Sequence, residues 1–303
     1  MSRFKLFFTG DYLDPDGKVK VGDIGLDTLA ATGYIETSFL RDQQPASGDD
    51  TYWDKLYSLE ITPRHVAEAN GIVIFRPWVK SSAFINGAEN LLVLARAGAG
   101  YDKIDISACT ANDVVVFNAP DTLTHSTASA ALTLLLALAK KLPQQQELVH
   151  AGRWDRQPEF MGDDLIGKTL GIIGLGRLGT LVARAGKAFG LELIGWSRNL
   201  TDARAAELGV KRVEKAELFE RADIVTIHVP LTNESRGLVG AAELARMKPA
   251  AYLVNTSRGP IVDEAALLAA LKARRIAGAA IDVYDREPIA KDHPFLELDN
   301  VVL

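Results

Sequence analysis

The sequence is nearly free of cysteine, since Cys109 is the only one among 303 residues. A single thiol excludes an internal disulfide framework and a cluster of thiolate metal ligands, and it fits a reducing setting. No histidine, lysine or arginine stands beside Cys109 in the segment SACTAND, which predicts a packed rather than a reactive thiol. We therefore predict a cytoplasmic protein without a metal site.

Long apolar runs and an excess of positive charge are also missing. The longest apolar run, AALTLLLALA at residues 130–139, has about half of the ~20 residues that a membrane span needs, so it predicts a buried helix. The formal net charge of -5 leaves no electrostatic footprint for DNA or RNA. We predict neither a membrane nor a nucleic acid as a partner.

Short apolar runs alternate with helical patterns along the whole chain. The first series contains KLFF, YIETSF, GIVIF, LLVLA and VVVF, and the second contains TLGIIG, LELIGW, ADIVTIHV, AYLVNT, AGAAIDV and NVVL. Strands that alternate with helices form parallel sheets covered on both faces. The sequence therefore predicts the α/β class with two doubly wound domains.

The two series also predict where the domains divide. We place a substrate domain at residues 1–118 and a nucleotide-binding domain at residues 119–303, with a ligand cleft expected between them. A linker helix at residues 123–141 begins the second domain, and Pro143 ends it or follows its end. The polar segment at residues 150–168 is predicted to be an extended arm.

A dinucleotide fingerprint stands in the second series. Gly174, Gly176 and Gly179 form G-x-G-x-x-G directly after the strand TLGII and before a helical pattern. Such glycines allow a tight turn, close approach of the backbone to a pyrophosphate and close helix packing, and the helix N-terminus attracts the phosphates. The face predicted to pack on the sheet carries Leu178, Leu181, Val182, Ala185 and Phe189.

The residues after the next strand indicate which nicotinamide cofactor binds. An NAD site usually has an acidic residue there for the ribose hydroxyls, whereas a 2'-phosphate needs a cation. This sequence has Trp196, Ser197, Arg198 and Asn199. The pattern favours NADP(H) over NAD(H), with the alternative that Arg198 is a solvated loop residue and NAD(H) is usable.

Three further segments carry a family resemblance: ARAGAGYDKID, LVNTSRGPIVDEAAL and IDVYDREP. With the fingerprint, they make the sequence resemble the D-isomer-specific 2-hydroxyacid dehydrogenases. The resemblance implies a Rossmann NAD(P)-binding domain and a flavodoxin-like substrate domain. It implies hydride transfer between NAD(P)(H) and a small D-2-hydroxy acid or 2-oxo acid, and a homodimer formed through the linker helix and the arm.

The resemblance also implies the catalytic residues. Arg258 matches the arginine that holds the substrate carboxylate and carbonyl oxygen, and its planar, charged guanidinium suits a 2-oxo acid and a developing alkoxide. Glu287 matches the glutamate that orients the acid/base histidine and raises its pKa. That histidine is expected beyond Leu303, after the strand NVVL. Asp263 is expected to cap the following helix.

The resemblance also implies which residues bind the substrate and the cofactor. Gly98, Ala99 and Gly100 match the turn whose amides bind the substrate carboxylate, and Arg76 follows a strand towards the same cleft, with a surface arginine as the alternative. A phosphorylated substrate would need another cation, for which Arg76 or Lys80 is a candidate. The predicted cofactor-binding residues are Thr127, Gly174, Gly176, Arg177, Leu178, Gly179, Ser197, Arg198, His228, Val229, Pro230, Thr256 and Asp282.

The five histidines receive different predictions. His65 and His150 are expected to be exposed and without a chemical role, and His125 to begin a helix. His228 is assigned to the cofactor pocket, and His293 is interpreted as a loop residue rather than the acid/base group.

A second class of function stays open. A corepressor-like protein of the same fold would bind the nucleotide as a sensor and not turn over a substrate. Cofactor oxidation with small 2-oxo acids separates the two classes.

Overall fold

The computed structural model describes residues 3–44, 46, 52–154 and 161–303. The chain divides into two compact units, of which the first ends at Leu123 and the second begins at Thr124. Each unit is built on its own parallel sheet.

The sheet of the first unit has five parallel strands in the order β2-β1-β3-β4-β5. The strands are β1 Phe4–Thr9, β2 Ile35–Leu40, β3 Gly71–Ile74, β4 Val93–Arg96 and β5 Val115–Asn118. This is the flavodoxin-like order, so the fold predicted for this unit is confirmed. The order reverses between β1 and β3, and the carboxyl ends of these strands are where ligands bind in such sheets.

The described helices of the first unit cover the sheet and close its core. They are α1 Leu26–Ala30, α2 Tyr52–Ser58, α3 Pro63–Glu68 and α4 Ile106–Ala111, with short 3-10 turns at Gly10–Tyr12, Arg41–Gln43 and Ser81–Phe84. Ile72, Ile74 and Leu94 are fully buried in the sheet. Cys109 on α4 is buried, and burial raises the pKa of its thiol to about 11, which confirms a packed thiol.

One histidine of this unit differs from its prediction. His65 on α3 is 2% exposed, and its Nε2 lies 2.8 Å from Oδ2 of Asp42. Its Nδ1 accepts a hydrogen bond from the backbone N–H of Thr62, which closes a capping box at the start of α3. The prediction of an exposed His65 was wrong because one ring nitrogen caps α3 and the other contacts Asp42 in the turn Arg41–Gln43.

The sheet of the second unit has seven parallel strands in the order β12-β11-β10-β9-β6-β7-β8. The strands are β6 Thr169–Ile173, β7 Glu192–Trp196, β8 Lys211–Arg212, β9 Ile224–Ile227, β10 Tyr252–Asn255, β11 Gly278–Ile281 and β12 Val301–Val302. This is the Rossmann order with one added strand, which confirms the predicted fold. The two-residue strand β8 was not predicted, because Lys211 and Arg212 are exposed and form no apolar run.

Seven helices are described in the second unit. They are α5 Thr124–Ala139, α6 Leu142–His150, α7 Arg177–Ala188, α8 Asp202–Leu208, α9 Lys215–Arg221, α10 Ala241–Arg246 and α11 Glu264–Lys272. The predicted linker helix corresponds to α5, and Pro143 lies in the first turn of the separate helix α6. Within the predicted arm, residues 155–160 lie outside the described part of the chain.

The predicted face of α7 is confirmed in part, since Val182 is buried and Leu178 and Leu181 pack against the core. Its buried positions include Gly179, Val182, Ala183 and Gly186, whereas Phe189 at its end is 46% exposed. A Cβ on Gly186 would lie 2.9 Å from Cδ2 of Leu170 in β6. Small residues therefore face the sheet because the helix lies too close for large ones.

Helix α5 is the most apolar helix of this unit. It buries Ala128, Ala131, Leu135 and Leu138 in the core beside β6 and β10. Among the described residues, no helix is both long and apolar enough to cross a membrane.

Candidate functional site

The glycine turn lies where the strand order of the second sheet reverses. The N–H of Gly174 donates to the carbonyl of Trp196 at the end of β7, and the N–H of His228 donates to the carbonyl of Ile173 in β6. The turn between β6 and α7 is thus held between the ends of β7 and β9. Crevices of this kind bind dinucleotides in Rossmann folds.

Close packing explains the glycines of this turn. Gly174 has a φ of +94°, and a Cβ on it would lie 2.6 Å from the carbonyl oxygen of His228 and 2.8 Å from Cγ1 of Val229. A Cβ on Gly179 would lie 1.9 Å from the carbonyl oxygen of Gly174. At Gly176, by contrast, no described atom lies within 4 Å of the corresponding position. The turn is therefore closed towards the protein and open at Gly176, where helix α7 begins.

His228 follows β9 beside this turn. Its Nε2 lies 2.9 Å from the hydroxyl of Thr226, and its Nδ1 is buried without a hydrogen-bond partner among the described residues. Burial lowers the pKa of His228 to about 4, so the imidazole is neutral near neutral pH. Pro230, two residues further on, has its carbonyl bound by the Ser235 hydroxyl at 2.7 Å.

A second polar atom is left without a partner on the neighbouring strand. Thr256 directly follows β10, is 6% exposed, and has a buried hydroxyl with no hydrogen-bond partner among the described residues. Unpaired buried polar atoms are rare in native proteins and point to a missing partner. With the open turn at Gly176 and the N-terminus of α7, they fit a bound dinucleotide, which offers hydrogen-bonding groups and phosphates.

Arg258 stands at the carboxyl edge of the same sheet. The side-chain amide of Asn255 donates to the carbonyl of Arg258 at 2.9 Å and accepts from the N–H of Ser257 at 3.1 Å. The Ser257 hydroxyl donates to the carbonyl of Ile227 at 2.7 Å, which ties the turn to β9. Arg258 itself is partly buried and donates to the carbonyl of Ser257. These hydrogen bonds fix the backbone of the turn from which the Arg258 side chain extends.

The turn at Arg258 meets the segment that carries Glu287. A Cβ on Gly259 would lie 2.0 Å from the carbonyl carbon of Tyr284, so the two backbones touch. The N–H of Tyr284 lies 3.4 Å from Oε1 of Glu287. The structure thus brings the backbone beside Arg258 against the segment that leads to Glu287.

Asp282 lies at the end of the adjacent strand β11. Its N–H donates to the carbonyl of Asn255, which extends the pairing of β10 and β11 beyond the strands. The residue is exposed as a whole, and partial burial of its carboxyl raises the pKa. No hydrogen bond to this carboxyl is described, so the competing capping role has no support in the described contacts.

The loop after β7 contains the predicted ribose residues. Ser197 is half-buried and Arg198 is exposed. Glu234 in the loop after β9 has a lowered pKa, caused first by the Thr232 hydroxyl and, to a lesser extent, by the charge of Arg198. Arg198 therefore lies near the loop that follows His228. Thr127, on the first turns of α5, is half-buried.

His293 and Asp263 have capping roles. The ring of His293 accepts from the N–H of Phe295, and its Nε2 lies 3.1 Å from Oε1 of Glu264. The Asp263 carboxyl accepts from the N–H of Ala266 at the start of α11, as expected. His293 is thus bound into a loop.

The predicted substrate turn lies in the first unit. The N–H of Gly98, which has a φ of +149°, donates to the carbonyl of Arg96, so this donor is already used. The carbonyls of Gly98 and Ala99 accept from Ala119 and from the Asn118 side chain, at 3.0 and 2.8 Å. The amides of Ala99 and Gly100 make no described backbone hydrogen bond and are the donors left for a carboxylate.

The side chains that build the site were only partly predictable. No role was predicted for Asn255, Ser257, Thr226 or Ser235. Their hydrogen bonds hold the turn at Arg258, the ring of His228 and the loop after β9. A usable signal was present: Thr226 and Asn255 are polar residues inside apolar strands, at 1% and 2% exposure. Such residues are buried only where a hydrogen-bond partner exists.

The two sheets and the glycine turn define an α/β protein with a nucleotide-binding doubly wound domain. A model of the family described as D-isomer specific 2-hydroxyacid dehydrogenase, NAD binding domain, matches residues 132–303. The chain belongs to this family.

Individual relatives extend the comparison. The D-3-phosphoglycerate dehydrogenase of Archaeoglobus fulgidus is 44% identical over 239 residues, which are 79% of this chain and 45% of that protein. The glyoxylate reductase of Korarchaeum cryptofilum is 42% identical over 219 residues, 71% of this chain and 66% of that protein. The chain thus spans less than half the length of the first of these relatives.

A solved structure is similar over the whole chain. The NADPH-dependent glyoxylate/hydroxypyruvate reductase of Sinorhizobium meliloti, in complex with NADP and malonate, has a TM-score of 0.77 and 30% sequence identity. The match covers 100% of this chain and 86% of that chain.

Proposed function

We propose that the protein is an NAD(P)(H)-dependent oxidoreductase that interconverts a small 2-oxo acid and its D-2-hydroxy acid. The observation that carries this proposal is the hydrogen-bonded turn that places Arg258 at the sheet edge, next to the unpaired hydroxyl of Thr256. Family membership and the names of the similar proteins support the same reaction class.

Each group of residues would do a separate task. The dinucleotide would be held by the open turn at Gly176, the N-terminus of α7, His228 and Thr256. Asp282 would contact the nicotinamide end of the cofactor. When bound, this cofactor supplies or accepts the hydride. The amides of Ala99 and Gly100 would bind a carboxylate.

Arg258 would bind the substrate and stabilise the oxyanion that develops from its carbonyl oxygen. A fixed guanidinium does this well because it needs no reorganisation as charge develops. Glu287 would orient the acid/base histidine that the family resemblance implies, and so favour its protonated form.

We further propose NADP(H) as the preferred cofactor. The absence of a carboxylate from residues 196–199 and the exposed Arg198 support it, since a 2'-phosphate needs a cation and no acidic neighbour. The homodimer and the cytoplasmic location stay predictions. The dimer would bury exposed apolar residues of α6 and the segment after it, such as Leu142, Val149 and Trp154.

The proposal is tested by NADPH oxidation with glyoxylate, hydroxypyruvate, pyruvate and phosphohydroxypyruvate, using the full-length protein. Arg258→Gln should lower kcat/KM by about 10²- to 10³-fold, the usual effect of removing one donor to a developing oxyanion. Arg204→Gln is the control, because Arg204 lies on the exposed surface of α8 and pairs with Glu207. Equal kcat/KM for the two variants would contradict the role of Arg258.

A further inference from the structure

A buried carboxylate stands at the carboxyl edge of the five-stranded sheet. Asp11 follows β1 and is 0% exposed, and its Oδ2 accepts from the backbone N–H of Arg76 at 3.0 Å. Arg76 follows β3, which is paired with β1. The two residues therefore meet where the strand order reverses, which is the ligand-binding end of such sheets.

The contacts of the Asp11 carboxylate do not compensate for the cost of burying its charge. Its Oδ2 lies 3.7 Å from Nη1 of Arg76, while its Oδ1 has no hydrogen-bond partner among the described residues. Burial raises the pKa of Asp11, and the Thr9 hydroxyl and the Arg76 charge oppose the rise. An incompletely paired buried acid adds little to stability, and an apolar residue of similar size often serves as well. A purely structural role explains Asp11 poorly.

The guanidinium of Arg76 is held on two sides. Its Cζ lies 4.1 Å from the ring centroid of Phe75, and the Phe75 ring stacks on Tyr12 at 5.1 Å. Asp11 lies at its edge, and Nη1 is buried without a hydrogen-bond partner among the described residues. About a quarter of the side chain, 24%, stays exposed. A fixed planar cation with free donor capacity is suited to a carboxylate or phosphate.

The other candidate cation of this unit is placed differently. The Lys80 ammonium forms an ion pair with Glu60, and 53% of the Lys80 side chain is exposed. A flexible, solvated and already paired ammonium is a poorer anion ligand than the packed guanidinium of Arg76.

We propose that Asp11 is a positioning residue: its buried carboxylate fixes the Arg76 guanidinium so that Arg76 binds an anionic group of the substrate. The inference rests on the proposed function and adds a residue to it. Asp11 acts through Arg76 and does not touch the substrate.

The test is a double-mutant cycle on the full-length protein with hydroxypyruvate as the substrate. Asp11→Asn keeps the size of the side chain and an acceptor for the Arg76 N–H, but it removes the charge. We expect it to raise the KM for hydroxypyruvate about tenfold, with kcat and the KM for NADPH little changed, because binding and not chemistry is affected. In an Arg76→Gln background, Asp11→Asn should change this KM less than about twofold, since the residue through which it acts is gone.

Several outcomes would overturn the inference. Equal effects of Asp11→Asn in both backgrounds would show that Asp11 does not act through Arg76. Lower kcat and weaker NADPH binding would show general structural damage. If Asp11→Asn does not fold, Arg76→Lys is the deciding variant. A KM for hydroxypyruvate near that of Arg76→Gln would support a role for the rigid, planar guanidinium of Arg76. A KM equal to that of the wild type would reject it.

The proposed function fails separately. Wild-type protein that oxidises NADPH with none of the 2-oxo acids would overturn the function and this inference with it. Wild-type turnover with an unchanged substrate KM in Asp11→Asn would overturn the inference alone.

Discussion

His228 is a buried side chain that makes the stability of the folded protein depend on pH. The folded protein holds it neutral, with a pKa lowered by burial from 6.5 to about 4. Between these two values the unfolded chain binds a proton that the folded chain does not. Burial of His228 therefore has no pH-dependent cost above about pH 6.5, and the folded state loses stability as the pH falls towards 4.

We expect the free energy of unfolding of His228→Gln to fall less than that of the wild type between about pH 7 and about pH 5. The full difference of about 2.5 pKa units corresponds to about 3 kcal/mol of unfolding free energy, of which about 2 kcal/mol develops between about pH 7 and about pH 5. Urea denaturation at about pH 7 and about pH 5 measures it. His150→Gln, at the exposed end of α6, is the matched control. An equally flattened profile in both variants would contradict the assignment to His228.

Arg198 is the residue on which cofactor choice should depend. Arg198→Asp replaces a cation with a carboxylate that can accept from the ribose hydroxyls, so kcat/KM should shift from NADPH towards NADH. We expect a change of at least about tenfold in the ratio, the effect of one charge-assisted hydrogen bond of ~1.4 kcal/mol. Arg204→Asp on α8 is the control for a general charge effect. An unchanged ratio in Arg198→Asp would mean that Ser197 and Arg198 do not select the cofactor.

At the scale of elements, the turn after β10 is tightly packed against the segment that leads to Glu287. Gly259 touches the backbone of Tyr284 with no room for a methyl group. The Arg258 turn and the Glu287 segment can lie this close only because residue 259 is glycine.

We expect Gly259→Ala to separate these two segments and to lower both stability and turnover. Overpacking of this kind costs about 1–3 kcal/mol, and displacement of Arg258 by about 1 Å would lower kcat about 10²-fold. Gly240→Ala is the control, because the nearest atom to its Cβ position is 3.7 Å away and its φ is negative. Thermal unfolding and steady-state kinetics report both effects. A Gly259→Ala enzyme as active as Gly240→Ala would contradict the close approach.

Element positions were more predictable than the faces and partners of their residues. The apolar runs located every strand except β8, and the motifs placed Gly174 and Arg258 at strand ends. The exposure of Phe189 at the end of α7 and the burial of His65 were missed. Periodicity shows which side of a helix is apolar, but not how close the helix lies to its sheet. The contact of His65 with Asp42 joins residues far apart in the sequence.

The same limit applies to the site. The candidate binding residues were predicted from motifs and from the family resemblance. The residues that contact them, such as Asn255, Ser257 and Asp11, lie in segments without a motif. Their roles depend on which strand ends meet, and this is fixed by the strand order rather than by local sequence.

At the scale of the whole molecule, we propose that the protein transfers a hydride between a nicotinamide cofactor and C2 of a small acid. A corepressor-like sensor of the same fold would bind the cofactor equally well, so binding alone does not distinguish them. Transfer of the hydride to a substrate distinguishes the enzyme from the sensor.

The most direct measurement uses NADPH deuterated at C4 of the nicotinamide, the full-length protein and hydroxypyruvate, with the product analysed by mass spectrometry and chiral chromatography. We predict a D-2-hydroxy acid that carries one deuterium at C2. Tight NADPH binding with no deuterated product from any of the 2-oxo acids would contradict the claim and favour the sensor.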